Sequence, residues 1–174
     1  MTERVLLIGM MGAGKSSVGR ALSALTGWEY VDNDELVERA TGAPTPDVFA
    51  KHGVEAMRAA EAAALDEALR TPAPVIAGVA AGVIEEPVDA QRLHDEGFTV
   101  WLRAELTTLA ERVGTGEGRA WLQPDPLAAL RKLYVGRPEK YAAAADLVVD
   151  VDDIGPDEVA RRILDAMRER GSVS

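Results

Sequence analysis

Gly9-Met10-Met11-Gly12-Ala13-Gly14-Lys15-Ser16 spells GxxxxGK followed by a hydroxyl residue, directly after the short apolar run Val5-Leu6-Leu7-Ile8. Strand, glycine loop and helix in that order form a phosphate cradle, the P-loop. Glycines at 9, 12 and 14 let successive backbone N–H groups turn inward at a polyphosphate. Lys15 can neutralise the outer phosphates and the Ser16 hydroxyl can ligate Mg²⁺. Val18, Leu22 and Leu25 recur at helical spacing, so a helix starting here also aims its positive N-terminal dipole at the anion. The candidate contacts to the phosphates are Gly12, Ala13, Gly14, Lys15, Ser16 and Ser17.

Carboxylates come next. Trp28-Glu29-Tyr30-Val31 is rich in β-formers and ends at Asp32-Asn33-Asp34. A phosphoryl-transfer site needs one carboxylate to hold the hydration shell of its metal and another near the acceptor hydroxyl. Two aspartates two apart on an extended segment would face the same side, although Asp32 could equally cap a following helix. Further along, Arg58 and Glu61 are three apart on a helix and could pair. Arg119 lies in the glycine-rich stretch Gly114-Thr115-Gly116-Glu117-Gly118-Arg119-Ala120-Trp121-Leu122, the composition of a lid that brings a cation to a developing charge. Arg137 follows Gly136 in a second loop. His52 and His94 have no partner at metal-ligand spacing and read as structural or surface residues.

The elements that must position these groups alternate. Strands are expected at Val5–Ile8, Trp28–Val31, Pro74–Gly78, Phe98–Leu102 and Ala145–Val151. Helices are expected over 17–25, 35–40, 53–70, 87–95, 106–113 and 126–134, with a last one starting at Pro156 that buries Val159, Ile163, Leu164 and Met167. Gly42, Pro44 and Pro46 predict a break before the long helix, which turns Val54, Met57, Leu65 and Leu69 to the core. Strand–helix alternation implies a parallel sheet covered on both faces, with ligands at the C-terminal strand ends.

The 174 residues fit one domain, 1–174, with a lid at about 114–124. A net charge of −10 argues against nucleic acid as a partner, and requires that basic groups concentrate in the site against an acidic exterior. With no cysteine there is no disulfide, thiol nucleophile or thiolate metal site. No apolar run approaches the roughly 18 residues that span a bilayer, and the first strand leaves no room for a secretory leader, so no membrane partner and a cytoplasmic location are expected. No heptad seam suggests an oligomer, so a monomer is expected. The chain also lacks the Asn-Lys-x-Asp stretch with which GTPases read guanine.

The chain from Val5 to about Met167 resembles the shikimate kinases, a branch of the nucleoside-monophosphate-kinase-like P-loop proteins. The landmarks are GMMGAGKS, the acidic pair in VDNDELVERATG, Phe49 followed by His52-Gly53, Arg58 with Glu61, Arg119, and Arg137-x-x-x-Tyr141 before a final Ala-Asp and strand. The resemblance implies an α/β fold, a three-layer α/β/α sandwich whose five-stranded parallel sheet has the order 2-3-1-4-5, with a mobile lid. It implies ATP and Mg²⁺, and transfer of the γ-phosphoryl group to the 3-hydroxyl of shikimate in aromatic amino acid biosynthesis. Ser16 and Asp32 would serve Mg²⁺, and Asp34 would position the attacking hydroxyl. Arg58 and Arg137 would clamp the substrate carboxylate, Lys15 and Arg119 would stabilise the transferring group, and Arg112 would stack on adenine. Two departures bear on the acceptor side. Val79-Ala80-Ala81, between Gly78 and Gly82, replaces a run of three glycines that lies against shikimate, and Trp121 stands where the lid carries a smaller residue. These keep open a kinase for a different small hydroxylated acid or sugar-like acceptor; a non-catalytic ATP-binding paralogue is a third reading.

Overall fold

The structure is a computed structural model that describes residues 3–116 and 118–171. Glu117 of the expected lid and both chain ends lie outside the described residues. Its elements in chain order are β1 (Arg4–Ile8), α1 (Lys15–Thr26), β2 (Glu29–Asp32), α2 (Asn33–Thr41), α3 (Thr45–Arg70), β3 (Val75–Gly78), α4 (Pro87–Asp95), β4 (Phe98–Arg103), α5 (Leu106–Val113), α6 (Pro126–Tyr134), α7 (Arg137–Ala144), β5 (Leu147–Asp150) and α8 (Pro156–Glu169). Short 3₁₀ segments cover Ala81–Glu85 and Ala120–Leu122.

All four strand pairings are parallel and the sheet order is β2-β3-β1-β4-β5, as the resemblance implies. β1 lies at the centre, between β3 and β4, with Val5, Leu6 and Leu7 wholly buried. A central parallel strand is covered on both faces, which is why its sequence is a continuous apolar run and not an alternation. Ile76 and Ala77 of β3 and Val100 of β4 are buried in the same way. Consequently the C-terminal ends of β1, β2 and β3 are rigidly set side by side, and the loops that leave them form the site.

Some elements differ from expectation for local reasons. α3 begins at Thr45, because Pro46 falls in its first turn, where a missing N–H leaves no hydrogen bond unmade. The break comes instead at Gly53, with φ 87° and ψ −178°, inside what would otherwise be a continuous helix. The stretch from Gly136 to Tyr141 is not a loop. Gly136 is the left-handed N-cap of α7, and Pro138 again sits in a first turn. Val54, expected in the core, is 50% exposed, and Leu25, part of the expected apolar pattern of α1, is 48% exposed. Leu25 falls in the last turn of α1, beyond the buried Val18 and Leu22, and Val54 opens onto the site immediately after the Gly53 kink. The final helix buries Val159, Ile163, Leu164 and Met167 as expected, and His52 and His94 are exposed.

Candidate active site

The loop after β1 delivers Lys15 as the first residue of α1. Gly14 caps that helix in the left-handed conformation, φ 95° and ψ 22°, and no side chain accepts from the first-turn N–H groups. The helix therefore keeps free donors and the positive end of its dipole for an anion. Gly9 passes so close to β4 that a Cβ on it would lie 2.7 Å from the Leu102 carbonyl oxygen. Lys15 folds over the loop and donates from Nζ to the carbonyl oxygens of Gly9 at 2.7 Å and Met10 at 3.1 Å. Burial pushes its pKa down to about 8, helped by Arg119 and opposed by Asp34 and Asp32. An anion placed against Nζ restores the charged form.

Asp32 ends β2 and does cap α2. Its Oδ1 accepts from the Asp34 N–H at 2.9 Å. Its Oδ2 accepts from Ser16 Oγ at 2.7 Å and from Tyr30 Oη at 2.6 Å. Burial alone would raise its pKa, but these hydrogen bonds from Tyr30, Ser16 and the Asp34 backbone hold the carboxyl below the usual carboxylate value. Capping and a place in the site thus coincide. The extended-strand reason for pairing the two aspartates does not hold, because Asp34 belongs to the first turn of α2. Both nevertheless line the same cavity, where Asp34 Oδ1 accepts long bonds from Asn33 Nδ2 at 3.3 Å and Thr45 Oγ1 at 3.5 Å.

Opposite the P-loop, α3, the loop after β3 and α7 form the other wall. Arg58 and Glu61 do not pair. The Arg58 guanidinium lies against Gly82, where a Cβ would come 1.2 Å from Nη1, so this glycine makes room for a side chain. Glu61 is buried, its Oε1 has no hydrogen-bond partner, and its pKa is pushed up to about 7. Burial is the main cause; Asp34 adds to it, while Arg58, Arg137 and Lys15 oppose it. Arg137, only 2% exposed, donates from Nε to Glu85 Oε1 at 3.0 Å and from Nη1 to Met10 Sδ at 3.3 Å. Tyr141, one turn along α7, donates to the Ala81 carbonyl oxygen at 2.7 Å and so ties α7 to the loop after β3. Val79, Ala80 and Ala81 all line the cavity. No non-glycine residue among those described has a positive φ, so the valine and alanines sit on an unstrained backbone, and their methyl groups reshape the wall without distorting it.

Part of the glycine-rich stretch, Gly118, Arg119 and Trp121, also lines the cavity. Arg119 and Trp121 face the cavity while Leu122 is wholly buried beneath them. The Trp121 ring meets Phe49 edge-on, with centroids 5.1 Å apart and planes at 69°, and its Nε1 donates to Met11 Sδ at 3.2 Å. The indole therefore touches α3 and the P-loop together. Arg112, on α5, donates from Nη2 to the Val151 carbonyl oxygen at 2.7 Å and from Nη1 to those of Gly12 and Ala13, both at 3.4 Å. Its guanidinium is thereby held at the edge of the P-loop, beside the segment that follows β5.

Gly12, Gly14, Lys15, Ser16, Ser17, Asp32, Asp34, Arg58, Val79, Ala80, Ala81, Arg112, Arg119 and Arg137 all line one cavity of about 650 Å³. Of the expected site residues, only Ala13 is buried behind the lining, with its carbonyl taken by Arg112.

The shikimate kinase family profile matches residues 11–168. The chain is 37% identical over 170 residues to the shikimate kinase of Symbiobacterium thermophilum, covering 96% of this chain and 97% of that one. It is 36% identical to that of Halorhodospira halophila, over 98% of this chain and 96% of the relative. The chain belongs to the shikimate kinase family. It is an ATP-dependent kinase that phosphorylates an alcohol group. Among solved structures, shikimate kinase from Acinetobacter baumannii in complex with shikimate superposes with a TM-score of 0.91 at 29% identity, over 98% of this chain and 95% of that one. A gluconokinase from Sinorhizobium meliloti, at 17% identity and a TM-score of 0.61, shares the fold.

Within this family member the site includes residues that spacing did not single out. Tyr30, Thr45, Gly82, Glu85 and the two methionine sulfurs of the P-loop all touch site residues. Tyr30 carried one usable signal, its place two residues before Asp32 on a strand, which turns both side chains the same way. Gly82 and Glu85 carried none, since their partners Arg58 and Arg137 are far away in sequence.

Proposed function

We propose that this chain transfers the γ-phosphoryl group of ATP to the 3-hydroxyl of shikimate, a step of aromatic amino acid biosynthesis. One observation carries the reading. A single cavity has the P-loop with Lys15 and Ser16 on one wall, Asp34, Arg58 and Arg137 on another, and Arg119 on the lid segment. Two anionic substrates can therefore meet inside an acidic protein because the cations are gathered where they are needed.

In this reading the first-turn N–H groups of α1 cradle the phosphates, and Lys15 exchanges its carbonyl partners for phosphate oxygens. Arg112 borders the adenine. Arg58 and Arg137 hold the shikimate carboxylate, which displaces the weak sulfur acceptor from Arg137 Nη1. Asp34, held only by long hydrogen bonds, accepts from the attacking hydroxyl, orients it and receives its proton as the O–P bond forms. The bridging O–P bond of ATP breaks in line with that attack, ADP leaves, and no phospho-enzyme forms. Lys15 and Arg119 offset the charge on the transferring group.

Magnesium fits the residues present. Ser16 Oγ and Asp32 Oδ2 are hard oxygen donors 2.7 Å apart at the mouth of the P-loop. Among the described residues no group of three or more His, Cys, Asp or Glu could hold a metal alone, which suits an ion that takes most of its ligands from phosphates and water. When bound, the ion neutralises phosphate charge. Ser16 and Asp32, the latter through water, are the residues to hold it. Every group invoked comes from one chain, so we read residues 1–174 as a single kinase unit acting as a monomer. No helix of the described residues is long and apolar enough to cross a membrane, and a soluble pair of substrates suits a cytoplasmic enzyme.

ADP release measured with and without shikimate tests the proposal, together with calorimetry of shikimate binding to the unmutated protein and to Arg58→Ala. The expected result is shikimate-dependent ADP release and loss of shikimate binding in the variant. An equal rate of ADP release with and without shikimate would sink it.

A further inference from the structure

The Tyr30 hydroxyl is the least expected polar group beside the P-loop. Its ring is seated on two glycines. A Cβ at Gly19 on α1 would lie 2.2 Å from the ring carbon Cε2, and one at Gly78, the last residue of β3, 2.7 Å from Oη. Helix and sheet thus leave a slot that only glycines on both sides keep open, and the tyrosine fills it. A phenylalanine would occupy the same volume. The hydroxyl is what needs a reason, and it donates to Asp32 Oδ2 at 2.6 Å.

That oxygen also accepts from Ser16 Oγ, while Oδ1 accepts the Asp34 N–H. Capping α2 needs Oδ1 alone. Oδ2, the oxygen nearest the Ser16 hydroxyl, is held from within the fold by a donor anchored on α1 and β3. Carboxylates that serve a metal through water depend on such outer partners for their orientation.

We propose that Tyr30 is a positioning residue for the magnesium–nucleotide complex, holding Asp32 Oδ2 in the rotamer that serves the ion. The proposal rests on the reading of Ser16 and Asp32 as the magnesium side of the site. A Ser16 hydroxyl that ligates through a lone pair can still donate its proton to Oδ2. Tyr30 then supplies the second donor that fixes this oxygen. Loss of the Tyr30 hydroxyl leaves the ring and the slot in place, and leaves Oδ2 held by Ser16 alone and the carboxylate less firmly oriented.

The test is calorimetric titration of ADP, with Mg²⁺ and with a chelator, into the unmutated protein and into Tyr30→Phe, paired with Mn²⁺ binding in the presence of ADP followed by electron paramagnetic resonance. The unmutated protein is expected to bind ADP more tightly with Mg²⁺. In Tyr30→Phe that advantage should shrink by about tenfold, the lower end of what losing an outer partner costs a bound metal, with Mn²⁺ affinity falling alongside. Metal-free ADP binding should stay the same, which a general loss of structure would not allow. An advantage kept in full by Tyr30→Phe, or an equal loss with and without metal, overturns the proposal alone. An unmutated protein that gains nothing from Mg²⁺ overturns the magnesium reading and this proposal with it.

Discussion

At the phosphate end of the cavity, Lys15, Ser16, Asp32 and Arg112 are each hydrogen-bonded to the protein within 2.6 to 3.4 Å. At the acceptor end, Arg58 rests on Gly82, Glu61 Oε1 has no partner, and Asp34 accepts only at 3.3 and 3.5 Å. The first region is built before any ligand arrives. The second holds one buried carboxyl without a partner, Glu61, which is costly, and two more open groups, Arg58 and Asp34, that a ligand can engage. A carboxylate and ring hydroxyls would complement Arg58, Asp34 and Glu61, while Arg137, already paired with Glu85, has only a sulfur acceptor to give up. The donor side is therefore the tolerant half for binding and the demanding half for chemistry, and substitutions should divide along that line.

Lys15→Ala should have the largest effect. Removing a cation from the transferring group is expected to lower kcat by about two to three orders of magnitude, in steady-state assays, with shikimate affinity little changed. Arg58→Ala should do the reverse. Loss of one charged hydrogen-bonding partner is expected to raise KM for shikimate about tenfold to a hundredfold while KM for ATP stays within about twofold. Equal changes in both constants would erase the division between the two ends. Trp121→Ala removes the contact that spans them, the edge-on ring on Phe49 and the hydrogen bond to Met11. The aromatic contact itself contributes about 1 kcal/mol, so kcat/KM for both substrates should fall by about fivefold to tenfold, and protease cleavage in the lid should speed up.

Glu61 sharpens the comparison through pH. Its carboxyl titrates at about 7 in the fold against an ordinary value of 4.5. Between those values the folded chain holds a proton that the unfolded chain has lost, so this group's contribution to stability is complete below pH 4.5 and is lost as pH rises through 7. Glu61→Gln should therefore gain thermal stability over the unmutated protein at pH 8 and show no gain at pH 4.5. A constant difference across that window would mean that the buried carboxyl titrates normally. The smallest effect belongs to the exposed pair Arg39–Glu67, 3.2 Å apart. Arg39→Ala should change unfolding free energy by less than about 1 kcal/mol and leave both kinetic constants unchanged.

Much of the sheet was legible because a buried parallel strand has to be apolar throughout and because strand–helix alternation admits few arrangements. The misplaced features share another origin. Pro46 reads as a breaker and Gly136 to Tyr141 as a loop, yet Pro46 and Pro138 both fall in a first helical turn, where proline is harmless. Leu25 keeps the helical spacing but is half exposed in the last turn of α1, and Val54 has the cavity beside it instead of the core. Periodicity states which residues share a face of an element. It does not state what that face meets.

The same limit applies to the site. GxxxxGK with Ser16 determines a phosphate cradle by itself, because the backbone conformation, the lysine and the hydroxyl are all encoded within eight consecutive residues. The composition and the order of the acidic and basic landmarks carry the family. Only the tertiary structure decided that Arg58 would lie on Gly82 and not on Glu61, that Trp121 would join Met11 to Phe49, and that Tyr30 would pass between Gly19 and Gly78 to reach Asp32. Each of those contacts joins elements that local spacing cannot relate, and each is set by how strands and helices pack in three dimensions.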